Sequence, residues 1–197
     1  MTNAHFTELG QYRDLEAINA YRQRVEEARC QSSESMMAAL ALIGRDNART
    51  PMQWDASRYA GFTPADAATE PWIGVNPNHV EINAAEEFDD PESVYGFYKK
   101  LIAMRHNSAT VATGEWNLLA ADDEQVYAFT RTSGDDTILV VVNLTDESAG
   151  LPGEVAELLG DGVAESQILL STYDVAHGVK SIARGELARW EGVVIQL

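Results

Sequence analysis

From Asp14 to about Arg29, Leu15, Ile18, Ala20, Tyr21 and Val25 recur near helical spacing among charged neighbours. That period predicts an amphipathic helix. After a polar break, "CQSSESMMAALALIG" offers Ser32 or Ser33 as N-cap, Glu34 in the first turn, an apolar run and a terminating Gly44. These features predict a second helix. A third is predicted over "DDPESVYGFYKKLIAMRH", with Asp89 or Asp90 as cap, Pro91 at the first helical position and Glu92 complementing the helix dipole. Val94, Phe97, Tyr98, Leu101, Ile102 and Arg105 follow at steps of three and four, so one face of that helix is strongly apolar and needs a partner.

Beyond about Asn107 the pattern changes to strands: "EWNLLA", "QVYAFTRT", "TILVVVNL", "SQILLS" and "GVVIQL", separated by turn-prone pieces such as "SGDD" and "LPGE". Val126, Ala128 and Thr130 alternate with Tyr127, Phe129 and Arg131, while "ILVVV" reads as a central strand buried on both faces. The expected fold class is α+β: a helical and long-loop segment over 1–110, then an antiparallel all-β sandwich domain over 111–197.

Between Gly44 and about Asp89 no period is sustained, and Pro, Gly, Asn, Asp and Trp dominate. Loops this long inside compact proteins are functional or disordered. Trp54, Tyr59, Phe62 and Trp72 favour an ordered one. Its first stretch, "GRDNARTPMQWD", holds two arginines, two aspartates, an asparagine, a glutamine and a tryptophan. Arginine forks hold carboxylates or adjacent sugar hydroxyls, amides and carboxylates complete the bonding of a hydroxyl-rich ligand, and tryptophan supplies a flat wall. Sugar recognition fits that mixture. The alternative is an ion-pair network of Arg45, Asp46, Arg49 and Asp55 pinning the loop over a buried Trp54.

Charge narrows the partners. Fourteen basic against 31 acidic residues give −17, which disfavours nucleic acid and anionic membrane surfaces. No apolar run approaches the roughly 18 residues of a membrane helix, and "MTNAHFTELG" lacks the features of a signal peptide. One cysteine, Cys30, gives no disulfide framework, and cytoplasm is the expected compartment. His5, His79, His106 and His177 have no metal-ligand spacing, and "ADDE" and "SGDD" lack the ligand density of a calcium loop. No metal and no cofactor is expected.

The blocks "GRDNARTPMQWD", "AGFT", "PWIGVNPNHVEIN", "DPESVYGFYKKLIAMRH" and "LARWEGVVIQL", with the opening "MTNAHFTELGQYRDLEAINAY", resemble in order the C-terminal part of the α-glucosidases of glycoside hydrolase family 13. Among these the likeness is to the oligo-1,6-glucosidase and dextran-glucosidase branch. The resemblance implies the end of a (β/α)8 barrel, its long eighth βα loop and last helix, followed by a C-terminal β-domain, with the barrel itself absent. It implies retaining cleavage of α-1,6 or α-1,4 bonds in short glucosides, which needs two carboxyl groups roughly 5 Å apart. Neither the strand-borne "GxRxD", nor a strand-ending glutamate, nor an "NHD"-like triplet occurs, so this chain alone is expected to be inactive and to hold no catalytic residue. The resemblance implies that Arg45 touches glucose and that Arg49 lies near the same pocket, while Asp46, Asn47, Thr50, Gln53 and Trp54 hold the loop in shape. A glucan-binding or structural module, or part of a sucrose isomerase or trehalose-forming enzyme, remains the alternative. Without a barrel to pack on, the apolar helix face is expected to drive self-association.

Overall fold

A computed structural model describes residues 2–160 and 162–197. The chain forms two compact units, 1–96 and 97–197, and each is built around its own core.

In the first unit the 14–29 pattern forms α1 (Leu15–Tyr21), capped by the Asp14 carboxylate and continued as a π-helical stretch, Arg22–Glu27. The second expected helix is α2 (Ser33–Ile43), with the Ser32 hydroxyl accepting the Ser35 N–H and Gly44 ending it. Phe6, Tyr12, Ala17, Met36, Leu40 and Ile73 form the core between these pieces. The long loop carries short 3₁₀ turns at Arg45–Ala48 and Pro77–Val80 and a small helix, α3 (Ala84–Phe88). No β-strand occurs among the described residues of this unit.

The third expected helix starts later than the sequence suggested. It is α4 (Val94–Asn107), and Pro91 lies in a turn before it. Ser93 decides this: its hydroxyl accepts the Gly96 N–H at 3.0 Å while donating towards the Glu87 and Asp90 carbonyls. The cap is therefore Ser93, and Asp90 instead bonds the Glu92 N–H within the turn.

The second unit continues through α5 (Ala109–Thr113) into the strands β1 (Glu115–Leu119), β2 (Val126–Ser133) and β3 (Asp136–Asn143), followed by β4 (Ala149–Gly150) and α6 (Gly153–Leu159). After these come β5 (Ile168–Ser171), α7 (Val175–Arg184), β6 (Glu186–Leu187) and β7 (Gly192–Gln196). Five strands make one antiparallel sheet in the order β1-β2-β3-β7-β5, and β4 pairs with β6. Strand β3 is central, as its apolar run implied, but it is not equally buried on both faces: Leu139 and Val141 on one face are fully buried, while Val140 and Val142 on the other are half-buried. The layer opposite the sheet is not a second full sheet. It consists of the β4–β6 ladder with α6 and α7, whose Val155, Leu159, Ile182 and Leu187 share one core with Val141, Val193 and Ile195. The sequence reading had not separated these two helices. For α7 the signal was local: Val175, Val179 and Ile182 stand at steps of four and three, and Asp174 caps the helix by accepting the His177 N–H.

Candidate functional site

The stretch after α2 is organised by one carboxylate. Asp46 is fully buried. Its Oδ2 accepts the backbone N–H groups of Arg13 at 2.6 Å and Asp14 at 2.9 Å, and its Oδ1 accepts from Arg49 Nη1 at 3.3 Å. A buried anion is tolerable only when hydrogen-bonded and paired, and here three donors do that. Arg49 Nη1 also lies 3.9 Å from Asp14 Oδ1, the helix cap. The negative charge of Asp46 adds to burial in raising the Tyr12 hydroxyl above its ordinary range, burial being the larger cause.

Arg45 behaves differently. Its guanidinium meets Glu16 at 3.4 Å with both side chains mostly exposed, a geometry worth little to stability. It lines a shallow cavity of about 460 Å³ with Thr2, Asn3, Leu42, Ile43 and Asn47. The two arginines thus meet different carboxylates: Arg49 is held by Asp46 and the cap Asp14, and Arg45 meets Glu16 at the surface.

Neighbouring polar groups fasten the loop. Asn47 accepts the Ala4 N–H at 3.1 Å and donates to Ala41 O at 3.0 Å. Gln53, buried, donates to Asn78 Oδ1 at 3.0 Å and to the Ile82 carbonyl. Asn76 and Asn83 cap the turns that follow. Asp46, Asn47 and Gln53 therefore hold the loop in shape, as expected, whereas the hydroxyl of Thr50, expected to do the same, is buried without a hydrogen-bond partner among the described residues. Two details of the ion-pair alternative are corrected. Trp54 is not buried but 54% exposed; its backbone N–H donates to Ala60 O and its carbonyl accepts the Ala85 N–H. Asp55 joins no ion pair with the arginines; it accepts from Ser57 at 2.8 Å, and the Ser57 hydroxyl and N–H hold its carboxyl below the usual range. Gly61 makes this turn possible: its φ is +64°, and a Cβ there would sit 2.7 Å from Asp55 Oδ2.

Arg13, Asp14 and Glu16 were not singled out by sequence reasoning. The one signal was the capping position of Asp14, because the Asp46 contacts span 32 and 33 residues. A second cavity, about 430 Å³, is lined by Arg13, Arg58, Tyr59, Glu70 and His79. There Arg58 lies over the Tyr59 ring at 4.6 Å and pairs with Glu70 at 3.6 Å. Among the described residues no group of three or more His, Cys, Asp or Glu side chains is placed to hold a metal.

Residues 1–114 match the alpha amylase catalytic domain, and residues 116–165 match the maltogenic amylase C-terminal domain. The chain belongs to the α-amylase family. It is 38% identical to the oligo-1,6-glucosidase of Bacillus cereus over 199 residues, covering all of this chain and 33% of that protein. An alpha-glucosidase of Pediococcus pentosaceus is 51% identical over 134 residues, covering 68% of this chain and 23% of that protein. The crystal structure of the trehalulose synthase MutB from Pseudomonas mesoacidophila MX-45 superposes with a TM-score of 0.76 at 35% identity, covering 97% of this chain and 32% of that one. The chain spans about one third of the length of the relatives it matches along its whole length.

Proposed function

We propose that these residues form the C-terminal portion of a retaining α-glucosidase that hydrolyses α-1,6 or α-1,4 bonds in short glucosides. The observation that carries this reading is the full-length match to an oligo-1,6-glucosidase, with a catalytic-domain match giving way to a C-terminal-domain match. On this reading residues 1–110 contribute the end of the catalytic domain, and 111–197 form the C-terminal domain. Two carboxyl groups on opposite sides of the scissile bond form and resolve a glucosyl-enzyme in retaining enzymes, and other parts of the catalytic domain supply them. The loop supplies sugar contacts. Arg45, exposed and held only by a surface pair, donates to glucose hydroxyls; Arg49, aimed by Asp46 and Asp14, lines the same pocket or its neighbour. The likeness to a trehalulose synthase supports a second reading, in which these residues are part of a sucrose isomerase.

The test is a pair of preparations. The 197-residue chain alone is expected to release no p-nitrophenol from p-nitrophenyl α-glucoside. A chimera in which it replaces the matching third of the Bacillus cereus oligo-1,6-glucosidase is expected to turn the substrate over. Turnover by the chain alone, lost on changing one of its own carboxylates, would overturn the reading. Sucrose conversion to an isomer by the chimera, but not by the unaltered enzyme, would favour the second.

We further infer that the chain self-associates. On α4, Val94, Tyr98 and Ile102 stand at steps of four with more than half of each residue exposed, an apolar stripe that water disfavours. Light scattering is expected to find oligomers at micromolar concentration. The triple change Val94→Glu, Tyr98→Glu and Ile102→Glu should return the chain to a monomer, and an unaltered protein already monomeric would contradict the inference.

A further inference from the structure

The first unit contains a cavity to which the glucosidase reading assigns no ligand. It measures about 430 Å³ and shares no lining residue with the cavity beside Arg45. Its cationic wall begins at Arg13. Nε of that guanidinium donates to Trp72 O at 3.0 Å, and Nη1 donates to Gly10 O at 2.6 Å and Tyr12 O at 3.0 Å. Three backbone carbonyls therefore fix its plane, none of them uses Nη2, and among the described residues no carboxylate pairs with its charge. Arg58 brings a second guanidinium, 4.6 Å above the Tyr59 ring. It pairs with Glu70 at 3.6 Å, both side chains being mostly exposed, so the pair contributes little and yields to a stronger acceptor. Tyr59 itself is 6% exposed, and its hydroxyl makes no hydrogen bond among the described residues. A buried phenol ordinarily finds a partner for that group, and here the cavity is the space left for one. His79 Nδ1 lies 3.0 Å from Asn76 O. A carbonyl only accepts, so Nδ1 carries the proton and Nε2 of the neutral ring remains an acceptor.

We propose that this cavity binds a phosphorylated monosaccharide, with the phosphate between Arg13 and Arg58 and the hydroxyls on Tyr59, His79 and Glu70. Guanidinium N–H groups match phosphate oxygens in charge and geometry. Arg13, already locked on its carbonyls, has little side-chain freedom left to lose on binding. With His79 neutral, two guanidiniums against one carboxylate leave the cavity positive on a chain of formal charge −17. The site therefore attracts an anion that the chain as a whole repels. The Tyr59 hydroxyl donates while His79 Nε2 and the Glu70 carboxylate accept, the mixed set that sugar hydroxyls use. Phe6, Pro71 and Val75 supply apolar wall for the C–H faces of a sugar ring. A bare sugar would leave both guanidiniums without an anion, and inorganic phosphate would leave the hydroxyl partners unused.

Calorimetric titration of the full chain with glucose 6-phosphate, glucose and inorganic phosphate tests this. Glucose 6-phosphate should saturate one site per chain and bind at least about 10-fold more tightly than either of the others. Arg58→Gln changes an exposed side chain, so it should keep the urea midpoint and weaken binding by about 10- to 150-fold. Tyr59→Phe removes only the hydroxyl and should weaken binding by roughly 2- to 10-fold. Arg13→Gln also withdraws bonds from three carbonyls, so the other two variants carry the test. Glucose or inorganic phosphate binding as tightly as glucose 6-phosphate, or an affinity unchanged in both variants, would overturn the site. Backbone amide shifts during the titration should move at Arg13, Tyr59 and His79. Movement confined to the Arg45–Ala48 turn would put the ligand in the other cavity and equally overturn the proposal. Binding is read without turnover, so its outcome does not depend on the glucosidase reading.

Discussion

Asp46→Ala is expected to lower the stability of the first unit by about 3 kcal/mol or more. The carboxylate is fully buried and is the acceptor for the Arg13 and Asp14 N–H groups. Truncation takes from both N–H groups the acceptor they share and from Arg49 the closer of its two carboxylates. Orphaned buried donors cost more than the bonds were worth, because their desolvation is not recovered. Asp46→Asn keeps the shape and one acceptor oxygen but not the charge, so its loss should be smaller. Urea unfolding followed by hydrogen exchange at the Arg13 and Asp14 amides separates the effects. Both amides should lose protection in Asp46→Ala while the β3 amides of the second unit keep theirs. An unchanged urea midpoint would mean that Asp46 does not organise the loop.

Arg45→Ala is expected to do the opposite: to leave stability almost untouched and damage catalysis. Its pair with Glu16 is exposed on both sides, and such pairs contribute about 0–1 kcal/mol. A charge-assisted contact to sugar hydroxyls is worth about 1.5–3 kcal/mol, which is roughly a 10- to 150-fold loss of kcat/KM. In the chimera the variant should therefore fall in kcat/KM by that range with an unchanged melting temperature. Arg49→Ala should show losses in both, since Arg49 pairs with the buried Asp46. If Arg45→Ala lost stability and activity in proportion, its role would be scaffolding.

The two arginines look alike in "RDNAR", and what separates them is distant in the chain. Periodicity located α1, α2 and the five strands of the sheet because helix and strand patterns are local and their caps, Asp14 and Ser32, sit beside them. The start of α4 was misplaced for an equally local reason: "DDPES" offers several caps, and Ser93 prevails through its bonds to Glu87 and Asp90. The composition of the loop suggested sugar recognition, and its order of motifs matched a family. Nothing in the stretch itself indicated that Asp46 faces inward or that Trp54 faces out.

The sequence alone therefore determined the kinds of element, the position of the strand-rich half and the family likeness, all of which rest on residue type and near-neighbour spacing. The tertiary structure decided which polar groups are buried together. Asp46 reaches back 32 and 33 residues to the entry of α1, and Glu191 reaches 10 residues to Ser181 and sets its carboxylate against His177. Burial turns these ordinary side chains into structural anchors, because a carboxylate away from water must find its partners wherever the fold has brought them.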